Sequence, residues 1–229
     1  MKNWKAPKNQ TTSRMPLTAC ATALAVAFAV ALPQRAYADD VKAPPVPANI
    51  KVPAGNDAFL VGHGVGTQNY VCLPAGIGVA YTLFTPEATL LSDDDKQITT
   101  HFFSPNPFEN NSNPALVAVG PIRATWQHSR DTSTVWGQVK PGNSSSDPAF
   151  IAPNAIAWLL VTVVGADNGP TGGDTLAETT FIQRLNTSGG VAPSTGCASS
   201  TDVGHLAFVP YTADYFFYKA AGGHADEGN

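Results

Sequence analysis

The chain has 229 residues, 43% of them hydrophobic, with 13 basic and 17 acidic side chains and a formal net charge of −4. The charge is uneven: Lys2, Lys5, Lys8, Arg14 and Arg35 fall within residues 1–38, which hold no acid, leaving eight basic against 17 acidic side chains, a net charge of −9, in the rest. So acidic a chain, without a basic stripe, is a poor candidate for nucleic acid or anionic lipid, both of which need clustered cations to neutralise phosphate.

The basic start is followed by an apolar run, Leu17–Leu32, and then by Ala36-Tyr37-Ala38, a small-x-small triplet. This order predicts a secretory signal over residues 1–38, cut before Asp39, and hence a periplasmic or extracellular protein. The apolar run is shorter than the roughly 20 residues a membrane-spanning helix needs. Leu17-Thr18-Ala19-Cys20 has the letters of a lipoprotein box. Here, however, Cys20 opens the apolar stretch where a lipidated cysteine would close it, so lipidation is not expected. No transmembrane segment is expected in the mature chain Asp39–Asn229, which is long enough for one domain burying about 70% of its unfolded surface. Cys72 and Cys197 remain in it. In an oxidising compartment two leftover cysteines most simply pair, and two separately buried thiols are the alternative.

Residues 39–54, "DDVKAPPVPANIKVPA", read as a Pro-rich, extended lead-in. A single β-rich domain is expected over 55–219, and a flexible tail over 220–229. Within the domain, "QNYVCL" (Gln68–Leu73), "GVAYTLF" (Gly78–Phe84), "ATWQHS" (Ala124–Ser129), "TVWGQVK" (Thr134–Lys140) and "AIAWLLVTVVGA" (Ala155–Ala166) are β-branched and aromatic. So are "ETTFIQRLNT" (Glu178–Thr187) and "HLAFVPYTADYFFYK" (His205–Lys219). Gly, Pro, Asn, Asp and Ser clusters separate them, which predicts strands and turns. Ala124–Ser129 and Thr134–Lys140 suggest a pair about a turn at Ser129–Ser133. Trp158–Val164, apolar but for Thr162, suits a strand covered on both faces, a buried helix being the alternative. "TPEATLLSDDDKQ", Thr85–Gln97, is expected to start a short helix. The fold class is therefore all-β: a single-domain β-sandwich or barrel with few short helices.

Glu178–Thr187 places Phe181 and Gln183 on one face and Ile182 and Arg184 on the other. A strand arginine ordinarily reaches to water or to an acid. Gly189-Gly190 then allows a turn through positive φ, and Cys197 is placed to fasten that turn to the strand bearing Cys72.

"TWQHSRDTSTVWGQV", "AIAWLLVTVVGA", "TTFIQRLNTSGGVAPSTGC" and "VPYTADYFFYK", with "GTQNYVC" upstream, resemble exported bacterial and fungal proteins grouped as domain-of-unknown-function family 3455. The likeness spans about Val61 to Lys219 and implies the same two cysteines, Cys72 and Cys197. One departure is that His101-Phe102 stands far from Gly120-Pro121, across "SPNPFENNSNPALVAV". The resemblance carries no established activity, though fungal members are often labelled malate dehydrogenase. That label finds no support here. Gly62, Gly64 and Gly66 have the wrong spacing for a pyrophosphate cradle, and strands do not alternate with helices.

Five histidines, His63, His101, His128, His205 and His224, make no zinc spacing and no C-x-x-C exists, so neither metal nor cofactor is expected. "WQHSRD" sets Trp126, His128, Arg130 and Asp131 around a hairpin. An aromatic plate beside hydrogen-bonding groups is how a sugar or small polar ligand is often held. With His101, these four are the candidate ligand-binding residues, against a structural reading of Trp126 as core and Arg130 and Asp131 as a charged turn. Ser129, His128 and Asp131 are too close along one strand to make a hydrolytic triad, and no G-x-S-x-G elbow is present. The acidic turns Ser92–Lys96 and Gly165–Glu178 do not fit the EF-hand spacing. The expected function is a non-enzymatic binding or envelope-associated module for a small molecule, glycan or protein. The alternative is a secreted enzyme, hydrolase rather than oxidoreductase, with a site near His101, His128 and Asp131.

Overall fold

A computed structural model describes residues 41–109 and 120–222. The expected signal segment, most of the Asn/Pro-rich insertion and the end of the tail lie outside the described residues. Eight strands follow in order: β1 (Asn56–Ala75), β2 (Gly78–Leu91), β3 (Gln97–Pro105), β4 (Ile122–His128), β5 (Thr134–Ser145), β6 (Trp158–Asp167), β7 (Thr179–Gly189) and β8 (Leu206–Ala220). Each pairs antiparallel with the next, and β8 returns to β1, closing a barrel. The all-β expectation holds, and the barrel is the form it takes. Closure gives every strand two neighbours, although β2 pairs with β3 only over Ala88–Leu91 and β5 with β4 only over Thr134–Gly137. Among the described residues helical structure is limited to single turns such as Ala48–Ile50 and Ser200–Asp202.

The short helix expected over Thr85–Gln97 is absent. Thr85–Leu91 continues β2, Gln97 opens β3, and a tight turn joins them, in which Ser92 N–H donates to Lys96 O and Asp95 sits at φ 59°. Pro86, Ala88 and Leu90 alternate onto the barrel's inner side, so period two wins over the helical reading. The Ser129–Ser133 turn joins β4 to β5 as expected. Trp158–Val164 is the doubly covered strand: Leu159, Val161 and Val163 pack inward, while Trp158 and Leu160 pack in a second cluster outside.

Gly62, Gly64 and Gly66 explain their own spacing. All three lie on one side of β1, and that side faces the lumen. A Cβ on Gly62 would touch Leu90, one on Gly64 would come 2.9 Å from the Tyr215 ring, and one on Gly66 would come 2.0 Å from Glu87 O. The glycine row makes room for large partners across the barrel. At this end Leu90, Trp126, Val135, Leu176, Ile182 and Phe217 fill the interior.

The Pro-rich segment packs on the barrel's outer side. Ile50 is fully buried among Trp158, Leu160, Leu185, Phe216 and Tyr218, with Val41, Ala43, Val46 and Val52 beside it. Gln183 Nε2 donates to Ile50 O at 2.7 Å, and Asn49 Nδ2 donates to Gly142 O and Ser144 O. At the opposite end of the barrel from the filled interior, Cys72 on β1 is joined to Cys197 in the β7–β8 connection, Cα–Cα 5.5 Å. Gly189 and Gly190 turn with φ of 68° and 82°.

Candidate functional site

Inward-facing side chains change size along the barrel. One end is filled by large residues. Toward the other, Pro86, Ala124 and Ala157 carry little bulk. The result is a cavity of about 360 Å³ to which all eight strands contribute. An eight-stranded barrel has an interior just wide enough either to be filled by side chains or to hold one small ligand. Leu83 and Val139 line the cavity and are also solvent-exposed, so they stand at its mouth.

The wall is mostly apolar: Leu83, Phe103, Val139, Ile156, Leu159 and Val161. Polar groups converge at its base. His101 stacks on Trp126 with ring centroids 4.2 Å apart and planes 8° off parallel. Its Nδ1–H donates to Thr125 O at 2.9 Å, which leaves Nε2 as the lone-pair nitrogen. Burial pushes the imidazole pKa down to about 3, so the ring is neutral at physiological pH. Tyr215 sits against both rings, and its hydroxyl shares a 2.9 Å hydrogen bond with Tyr211. Burial raises the pKa of both tyrosines. Tyr70 OH donates to Gly190 O at 2.6 Å, tying β1 to the double-glycine turn.

Arg184 departs from expectation. It is half-buried and meets no acid among the described residues. It points into the lumen, where Nε and Nη2 donate to Ala157 O at 3.2 and 2.8 Å, and the Tyr215 hydroxyl lies beside its guanidinium. No carboxylate lies within ion-pair distance of it among the described residues, and no other charged side chain lines the cavity. Two more donors find no acceptor: Gln68 Nε2 and Trp126 Nε1, on side chains 2% and 1% exposed.

The five candidate residues therefore divide. His101 and Trp126 meet at the cavity base. His128, Arg130 and Asp131 belong to the β4–β5 turn and do not line the cavity. Asp131 Oδ1 accepts from Ser133 N–H and Oγ and lies 2.9 Å from His128 Nδ1; Oδ2 accepts from Thr175 N–H and Oγ1. Burial pushes its carboxyl pKa up, but the Thr175 and Ser133 hydrogen bonds outweigh this and hold it well below the usual range. Arg130 is exposed. Sequence reasoning passed over Gln68, Tyr70, Arg184 and Tyr215 as site residues. The available signal was the single arginine inside the apolar stretch of β7.

Among the described residues no cluster of three or more His, Cys, Asp or Glu side chains could hold a metal ion, and no helix is long and apolar enough to cross a membrane. A disulfide is consistent with an oxidising compartment. A family model described as a protein of unknown function (DUF3455) matches residues 53–219. No curated protein matches the chain, and neither does any solved structure.

Proposed function

The chain belongs to the DUF3455 family of proteins of unknown function, and from that premise we propose that it is an exported binding module that takes a small, largely apolar molecule into the lumen of its barrel. The observation that carries this reading is the cavity of about 360 Å³ walled by residues of every strand, open at one end and packed solid at the other. Its size and lining fall within the range of small-molecule sites, which are mainly apolar with a few placed polar groups. Among the described residues no serine, cysteine or carboxylate lines it, so a hydrolytic reading draws no support from this site. Export is supported by the Cys72–Cys197 disulfide and by the signal-like order of residues 1–38.

The test is a thermal-shift screen of small apolar compounds on the mature protein. A ligand present at 100 times its Kd should add about 2.7 kcal/mol of stability. Val139→Trp, which places an indole at the mouth, should abolish that shift while leaving the unliganded Tm within a few degrees. A ligand whose shift survives this substitution binds elsewhere, and the lumen reading then fails. Mass spectrometry of the native protein should find Asp39 as its first residue.

A further inference from the structure

We propose that the occupant of the lumen carries one acidic group, held by Arg184, on an otherwise apolar body. The inference rests on the lumen-binding reading and adds the chemical class of the ligand. A guanidinium drawn even partly out of water against apolar walls loses hydration that a partner must replace, and Arg184 is half-buried in the lumen. Among the described residues Arg184 has one carbonyl, Ala157 O, for two of its N–H groups, the Tyr215 hydroxyl beside it, and no carboxylate partner. The neighbouring groups do not compensate it. His101 is neutral, and Tyr70, Tyr211 and Tyr215 are kept protonated by burial. Gln68 Nε2 and Trp126 Nε1 add two buried N–H donors with no acceptor, the Gln68 amide standing beside the Tyr211 hydroxyl without reaching hydrogen-bond geometry.

The base of the cavity is thus rich in donors, poor in acceptors and singly positive. A carboxylate supplies what it lacks: one negative charge and about four acceptor lone pairs, with a planar fork that matches guanidinium. The apolar walls above require the rest of the molecule to be hydrocarbon or aromatic. At about 30 Å³ per water-sized group, the cavity has room for roughly a dozen such groups.

Decanoate and 1-decanol, which differ in the headgroup, test this by calorimetric titration near neutral pH. Decanoate is expected to bind at least tenfold more tightly than decanol. In Arg184→Met the two should converge, with decanol unchanged within threefold, and Arg184→Lys should keep a preference for the acid. Equal affinities in the unaltered protein would overturn the assignment of an anionic ligand while leaving the lumen reading intact. Failure of both probes to bind would overturn both. A preference for decanoate that persists in Arg184→Met would place the acid group elsewhere and also sink the proposal. The comparison in the unaltered protein needs no variant, so a misfolded Arg184→Met does not blunt the test.

Discussion

His101 is held neutral against Trp126, with its pKa lowered from 6.5 to about 3. Between those values the unfolded chain binds a proton that the folded one refuses, so stability rises with pH, with a slope approaching about 1.4 kcal/mol per pH unit. His63 has the opposite sign. Its hydrogen bonds to Asp214 and Asp93 raise its pKa, so its contribution is complete below 6.5 and fades as pH climbs through the folded value. His101→Phe keeps a flat ring on Trp126 and removes the titration. Denaturant melts should show a shallower fall in stability for this variant than for the unaltered protein from roughly pH 6.5 to 5, where most carboxylates stay ionised. Parallel curves would mean that His101 takes up its proton in the folded state. The titration of His63 is common to both proteins and drops out of the difference. Asp131 offers a contrasting residue. It gathers bonds from Ser133 and Thr175 well away from the cavity. Asp131→Ala should cost about 2–3 kcal/mol in urea unfolding, and should shift the Kd of any lumen ligand less than twofold. A large loss of binding with intact stability would restore Asp131 to the site.

At the scale of the element, β1 and β7 show what a sequence discloses and what it withholds. The two faces of β7 were legible: Phe181 and Gln183 on one, Ile182 and Arg184 on the other. Which face looks inward was not, because the Pro-rich segment covers the outside and makes both faces apolar. For the same reason Arg184 read as a surface residue. The first half of β1 lacked the β-branched runs that mark strands, and β3, although Ile98-Thr99-Thr100 supplies one, was not among the expected strands. In β1 the inner face is glycine, chosen for the space it leaves, and in β3 "QITTHFF" mixes buried Thr99 and His101 with half-exposed neighbours. Once the strand is drawn, the glycine row becomes a prediction. Gly66→Ala puts a methyl 2.0 Å from Glu87 O and should destabilise by about 3 kcal/mol or more, whereas Gly78→Ala meets nothing nearer than 4.0 Å and should be close to neutral. Chemical denaturation of the two variants side by side checks both. The paired tryptophan and histidine of the cavity base were legible as candidates, but the turn residues grouped with them were not separable, since chain proximity says nothing about which end of a barrel a side chain serves.

For the whole molecule, the fastening between β1 and the β7–β8 connection spans 125 positions. Replacing Cys72 and Cys197 together by Ser should lower stability by up to about 4–5 kcal/mol on the chain-entropy account, whose mechanism is disputed. Calorimetry of the double variant, or of the reduced protein, gives the figure, and no loss would show that the paired strands alone close the barrel. The cysteine pairing was legible from the expected compartment and the count of two. The closure of the sheet was not, because alternation specifies faces and leaves the partner of the last strand open. That partner has a consequence in time. β1 hydrogen-bonds along almost its whole length to β8, the fifteen residues that are made last among the eight strands. A growing chain can form the early hairpins as it emerges, but it cannot shut the ring until β8 has been synthesised. Until then both rims of an unfinished sheet are bare and able to recruit stray strands. Purified chains truncated before Leu206 should therefore be protease-sensitive throughout, and chains that run past Ala220 should be resistant.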